Sequence, residues 1–89
     1  MEGLAQTCMI LFRTQRARND YLALPTNIQR LADKQLDLLL KDRRYPSLKA
    51  KKYDEKRGIW QARITQNYRL YFLIEGDTYV VISMTKHKK

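Results

Sequence analysis

Five basic side chains in the second half of the sequence are spaced so that they could bind phosphate. Lys49, Lys51 and Lys52 stand within four residues of one another, and Arg63 and Arg69 follow on either side of a short polar segment. Lysine supplies a compact positive charge, and arginine supplies a planar fork of N–H donors that matches a phosphate group. These residue types therefore predict a phosphate-rich partner.

His87 is the only histidine of the chain and stands between two lysines. An unperturbed imidazole titrates close to neutral pH, so His87 could donate or shuttle a proton, or it could simply add charge when protonated. The single cysteine, Cys8, has no partner for an internal disulfide and no metal-ligand spacing around it. The residue pattern therefore predicts neither a bound metal nor another cofactor.

The distribution of charge along the chain also favours a polyanionic partner. The chain of 89 residues has 18 Lys+Arg, 9 Asp+Glu and a net charge of +9, and 13 of the basic residues follow position 40. Solubility alone would not require this asymmetry. An anionic membrane would favour a basic amphipathic helix, whereas most of these charges fall outside the predicted helices. We expect nucleic acid or an acidic protein as the partner, no membrane association, and a cytoplasmic location without a leader segment.

The elements that must position these side chains form one small α+β domain over residues 1–89, with residues 1–7 as a flexible start. The sequence predicts a strand over 7–12, a short helix over 13–24, and an amphipathic helix from Thr26 to about Arg44. Thr26 and Gln29 have the form of a capping box. A polar connector over 46–58 leads to three strands over 59–64, 68–74 and 78–84. We predict a small antiparallel sheet, formed by the N-terminal strand and this three-stranded meander, with both helices on one face.

The register of the meander decides which side chains share a sheet face. If residues 65–67 form a three-residue loop with Asn67 in the left-handed conformation, the apolar residues pair as Trp60 with Phe72, Ala62 with Leu70, and Ile64 with Tyr68. The opposite face then carries Gln61, Arg63, Arg69 and Tyr71. Such a face could bind phosphates and bases, or it could be a solvated face whose arginine stems cover apolar neighbours.

Over roughly residues 8–89 the sequence resembles the RelE/ParE superfamily of type II toxins. The resemblance rests on the helix LPTNIQRLADKQLDLLLKD, the basic segment SLKAKK, and the run GIWQARITQNYRLYFLIEGDTYVVISMTKHKK. Its most specific part is WQARITQNYRLYF, followed by a last strand and a basic tail that contains the histidine. The family fold is a small twisted antiparallel sheet with two helices on one side, which agrees with the predicted layout.

The resemblance also implies an activity and its partners. Ribonuclease members of the superfamily cleave messenger RNA without a metal, usually in the ribosomal A site, and a cognate antitoxin neutralises them. By this resemblance Arg63 would act on the scissile phosphate, and His87 would be the acid or a proton shuttle. The expected substrate-binding residues are Lys49, Lys51, Lys52, Arg69 and Tyr71. An acidic, partly disordered antitoxin, the ribosome and messenger RNA are the expected partners.

The resemblance leaves the general base open. Some members use a glutamate in the connector, where this chain has YPSLKAKK with Ser47 and no acid. The connector lysines are alternatives, because crowded cations favour the uncharged amine, and so are Asp54 and Glu55. Tyr53, like Tyr71, could stack on a base or occupy a core or edge position.

Two other functions fit the same resemblance. ParE-like members inhibit DNA gyrase and cleave nothing, and a decayed toxin would retain only its antitoxin binding. The connector charge and the pairing of Arg63 with His87 favour the ribonuclease.

Overall fold

The computed structural model describes residues 9–86, so Cys8, His87 and the predicted flexible start lie outside the described residues. The elements in chain order are β1 (Ile10–Arg13), α1 (Gln15–Ala23), α2 (Thr26–Lys41), β2 (Lys51–Asp54), β3 (Ile59–Arg63), β4 (Tyr68–Glu75) and β5 (Thr78–Lys86). A single 3-10 turn over Pro46–Leu48 precedes β2. In this part of the chain no helix is long and apolar enough to cross a membrane.

The strands form one mixed sheet in the order β1-β5-β4-β3-β2, which confirms the α+β class. The pairings among β3, β4 and β5 are antiparallel, as predicted, and β2 also pairs antiparallel with β3. The N-terminal strand differs from the prediction, because β1 runs parallel to β5 with Ile10 opposite Thr78. Parallel pairing requires a long crossover connection, and both helices and the meander stand between these two strands in the chain.

The segment predicted as a polar connector contributes a fifth strand. Lys51 pairs with Gln61 and Lys52 with Trp60, so β2 forms the edge of the sheet beside β3. Leu48 is completely buried and fixes the start of this segment on the core. The backbone of β2 then satisfies the free edge of β3, and exposed lysines are common on such edge strands.

The register predicted for the meander is confirmed. Trp60 lies opposite Phe72 and Ala62 opposite Leu70, and the Ile64 N–H donates to the Tyr68 carbonyl at 3.0 Å. The buried side of the sheet packs against the apolar stripe of α2. The core contains Ile28, Ala32, Leu36, Leu39, Ala62, Leu70, Phe72, Val81 and Met84.

The loop between β3 and β4 is tighter than predicted. Among the described residues other than glycine, only Lys49 has a positive φ, so the left-handed conformation predicted for Asn67 is wrong. The Thr65 N–H donates to the Tyr68 carbonyl at 3.2 Å, and the Tyr68 N–H donates back to the Thr65 carbonyl at 3.3 Å. Thr65 Oγ1 also accepts from the Asn67 N–H at 3.2 Å, which stabilises the turn.

The two helices begin in different ways. Thr14 caps α1, since its Oγ1 accepts from the Ala17 N–H at 3.1 Å. The capping box predicted at Thr26 is wrong, because α2 starts at Thr26 itself, after Pro25, without a side-chain cap. Gln29 instead donates to the Tyr21 carbonyl at 2.9 Å, which ties the two helices together. The α2 helix ends at Lys41, three residues before the predicted stop.

Candidate active site

A basic cavity opens on the sheet face that points away from the helices. Its volume is about 430 Å³, and it is lined by Lys49, Lys51, Gln61, Arg63 and Arg69. Lys51 lies opposite Gln61, and Arg63 lies opposite Arg69, so the strand register brings these side chains together. Four of the side chains predicted to contact phosphate therefore share one space.

Arg63 has an unused donor inside the protein. Its Nε is buried and has no hydrogen-bond partner, and no other buried side-chain nitrogen or oxygen of the described residues is in this state. A buried donor without a partner is destabilising, commonly by about 1–3 kcal/mol. An anion bound in the cavity could accept a hydrogen bond from Arg63, so the guanidinium is suited to holding a phosphate.

Arg69 makes its main contacts with the protein backbone. Its Nη1 donates to the carbonyls of Thr65, Gln66 and Tyr68 at 2.6, 2.9 and 3.1 Å. These bonds close the turn between β3 and β4, and Arg69 also lines the cavity. Arg69 thus combines a structural role with a positive charge at the cavity wall.

Gln35 connects the end of β3 to the turn that precedes Lys49, and the sequence analysis missed it. This residue of α2 is 6% exposed, and its Nε2 donates to the Arg63 carbonyl at 2.7 Å and to the Ser47 carbonyl at 3.1 Å. The sequence feature that could have revealed it is the position of this glutamine, four residues from both Leu31 and Leu39 within an otherwise apolar stripe. A buried amide in such a position must find hydrogen-bond partners.

Lys49 enters the cavity from a strained backbone conformation. It follows the 3-10 turn in the left-handed region, with φ 46° and ψ 44°. This conformation costs a residue with a Cβ about 1–2 kcal/mol. Residues held in such conformations occur often at functional sites, so the strain itself draws attention to Lys49.

Lys52 lies away from the cavity. It stands opposite Trp60 in the sheet, and its Nζ is 5.3 Å from the centroid of the Trp60 ring. Because side chains alternate along a strand, Lys51 reaches the cavity while Lys52 points to the other face. The structure therefore separates Lys52 from the lysines with which the sequence analysis grouped it.

Tyr71 borders a second, neighbouring cavity of about 280 Å³ that Tyr53 also lines. The two rings meet edge to face with their centroids 4.9 Å apart. Burial raises the pKa of Tyr71, and the nearby Tyr53 raises it further, against the opposing effect of Arg69. The Tyr71 phenol is therefore neutral at physiological pH and can stack or donate a hydrogen bond.

No carboxylate lines the basic cavity in the described part of the chain. Asp54 Oδ1 accepts from the N–H groups of Lys56 and Arg57 at 3.1 and 3.3 Å, so Asp54 organises the turn after β2. Glu55 is exposed and does not line the cavity. Between residues 9 and 86, no three His, Cys, Asp or Glu side chains are grouped to hold a metal. The cavity can stabilise negative charge, and its own lining offers only lysines as bases.

Comparison with known proteins identifies the family. A model of the ParE-like toxin domain matches residues 26–89. A YoeB/ParE toxin from Agrobacterium tumefaciens superposes with a TM-score of 0.74 at 19% identity, covering 90% of this chain and 100% of that chain. The archaeal RelE-RelB complex from Pyrococcus horikoshii gives a TM-score of 0.75 at 12% identity, with 89% and 94% covered. No curated protein matches significantly by sequence. The structural likeness confirms the fold, and the family match shows that this chain is a ParE-like toxin domain of the RelE/ParE superfamily.

Proposed function

We propose that this toxin is a metal-independent endoribonuclease and that the basic cavity is its active site. The observation that carries the proposal is a cavity that Arg63 lines and whose charged lining is entirely cationic. A phosphate diester of RNA would accept hydrogen bonds from the Arg63 guanidinium and neutralise the lining.

The proposed reaction is an attack of a ribose 2′-oxygen on the adjacent phosphorus. Lys49 or Lys51 takes the hydroxyl proton, and the new P–O bond forms a cyclic phosphate. Arg63 stabilises the extra negative charge on the phosphoryl oxygens as the bond to the 5′-oxygen breaks. His87 then donates the proton that the leaving 5′-oxygen requires.

The proposed substrate is messenger RNA in the ribosomal A site, and the proposed regulator is a cognate antitoxin. Two superposed structures support the antitoxin, because one is the RelE-RelB complex from Pyrococcus horikoshii and the other is a toxin-antitoxin complex, RelBE2, from Mycobacterium tuberculosis. A net charge of +9 suits both an RNA substrate and an acidic, partly disordered regulator. The proposed site of action is the cytoplasm, where the ribosomes are.

Primer extension on ribosome-bound messenger RNA tests the activity. We expect the wild-type protein to produce new 5′ ends and Arg63→Ala to lower the cleavage rate about 100-fold or more, because it removes the charge that faces the phosphate. Arg30→Ala is the matched control, since Arg30 is an exposed arginine on α2 that does not line the cavity. Thermal unfolding of each variant confirms that it is folded. Equal cleavage by Arg63→Ala and the wild type would refute the assignment of the cavity.

Inhibition of DNA gyrase is the second candidate function. It is favoured by the match to the ParE-like family model and by the lack of a carboxylate base in the described cavity lining. A supercoiling assay with purified gyrase distinguishes the two functions. Inhibited supercoiling with intact messenger RNA would favour the gyrase function, and neither effect would indicate a toxin that retains only antitoxin binding.

A further inference from the structure

A second basic surface surrounds Trp60 on the sheet face opposite the cavity. The Arg43 guanidinium carbon lies 5.5 Å from the centroid of the Trp60 ring, and Lys52 Nζ lies 5.3 Å from it. Both cationic residues are exposed, whereas Trp60 is half-buried. We call this surface, formed by Arg43, Lys52 and Trp60, the Trp60 platform.

The platform is fixed in place by the core. The Trp60 ring stacks on Phe72 at a centroid distance of 6.2 Å and an interplanar angle of 20°, and Phe72 is completely buried. Strand pairing places Lys52 directly opposite Trp60. The two cations therefore lie near one rigid ring. Because the ring is already ordered, a ligand that binds there does not pay the entropy cost of ordering it.

Within residues 9–86, neither Arg43 nor Lys52 of the platform forms a salt bridge. The neighbouring carboxylate of Asp42 is engaged by Arg44, whose Nε and Nη2 donate to it at 3.0 and 3.1 Å. The hydrogen bonds from the Arg44 side chain and backbone lower the pKa of Asp42, and the positive charges of Arg44 and Arg43 lower it further. Two cations gathered at one ring repel each other, and a bound anion would relieve this repulsion.

We propose that the Trp60 platform binds the phosphate backbone of double-stranded RNA. Alternation along β2 places Lys51 in the cavity and Lys52 on the platform, so positive charge continues around the edge of the sheet. An edge charged on both faces matches the two phosphate rows that border a groove of an RNA helix. Acidic peptides also bind clusters of basic side chains, so polyglutamate is the competing ligand in the test of this proposal.

This inference goes beyond cleavage, because the platform lies on the other sheet face and binding there requires no reaction. Fluorescence anisotropy with a short, dye-labelled RNA duplex measures it directly. In the double variant Arg43→Gln/Lys52→Gln, we expect affinity at 0.15 M salt to fall about tenfold or more. The magnitude of the negative slope of log affinity against log salt should decrease by nearly 2, because one phosphate contact is lost with each charge.

The matched control is Arg30→Gln/Lys34→Gln, which removes the same charge from the exposed face of α2. We expect this variant to keep most of the affinity and salt dependence of the wild type. Trp60 is the only tryptophan, so the duplex should also change its fluorescence in the wild type and in the control variant.

Three results would overturn the proposal. The first is an equal loss of affinity in both double variants, which would indicate a net-charge effect. The second is unchanged affinity in Arg43→Gln/Lys52→Gln. The third is binding of polyglutamate as tight as that of the duplex, which would favour an acidic protein. These experiments measure binding and not cleavage. Their outcome therefore does not depend on whether the basic cavity is catalytically active.

Discussion

Replacing Gln35 with methionine should loosen the cavity while preserving the shape of the core. Methionine has nearly the same length and helix propensity as glutamine, but it cannot donate a hydrogen bond. The substitution removes the two donations from Nε2 to the carbonyls of Arg63 and Ser47. At about 1 kcal/mol for each bond, the free energy of unfolding should fall by about 2 kcal/mol.

Urea and thermal unfolding measure this loss, and Gln29→Met is its matched control. Gln29 also donates from Nε2 to a backbone carbonyl, that of Tyr21, but it makes only one such bond. We expect Gln29→Met to lose about 1 kcal/mol. For a domain of this size, the melting temperature should fall by about 8–16 °C for Gln35→Met and by about half as much for the control.

Binding of a cleavage-resistant 2′-O-methyl RNA separates the role of Gln35 in the cavity from its role in stability. Gln35→Met should weaken this binding severalfold at a temperature where both variants are folded, because Arg63 loses a backbone restraint and Lys49 lies two residues beyond Ser47. Gln29→Met should leave the binding unchanged. The explanation fails if the two variants lose equal stability or if the RNA affinity of Gln35→Met equals that of the wild type.

Two further predictions concern Lys49 in the basic cavity and Tyr71 in the neighbouring one. Lys49→Gly should raise the free energy of unfolding by up to about 1 kcal/mol, because glycine adopts the left-handed conformation freely, while the lost charge weakens RNA binding and lowers its salt dependence. Urea unfolding should therefore show a higher free energy of unfolding, whereas RNA titration should show a lower affinity. A lower free energy of unfolding would contradict the argument from strain. The raised pKa of Tyr71 means that its contribution to stability is complete below its ordinary pKa of 10.0 and is lost as the pH rises through the folded value. Tyr71→Phe should show a smaller alkaline loss of stability than the wild type, and an identical pH dependence would refute this.

The sequence predicted the fold best where periodic patterns repeat. The apolar stripe of α2 and the alternation of the meander were sufficient to place Arg63 and Arg69 on one face, as the strand pairing confirms. Local patterns are enough for such elements, because the buried face recurs at each turn or at every second residue.

Features that depend on tertiary contacts escaped the sequence analysis. The β2 strand has lysine-rich composition and forms because β3 offers it an edge, which no local pattern of KKYD reveals. The separation of Lys52 from Lys51 follows from that same strand. Gln35 was overlooked because the partners of its amide, the carbonyls of Ser47 and Arg63, are 12 and 28 residues away.

The position of β5 between β1 and β4 determines the order in which the protein can assemble during synthesis. The strands β2, β3 and β4 can pair with one another as soon as they emerge, whereas β1 has no strand partner until Thr78–Lys86 has been made. Thr14 likewise reaches β5 through distant hydrogen bonds, because its N–H donates to the Val81 carbonyl at 3.0 Å and its Oγ1 donates to the Ile82 carbonyl at 3.3 Å, the latter across a sequence separation of 68 residues. Such distant contacts form late because a long loop must close first. The walls of the basic cavity therefore come together before the first strand and α1 acquire the partner that holds them in place.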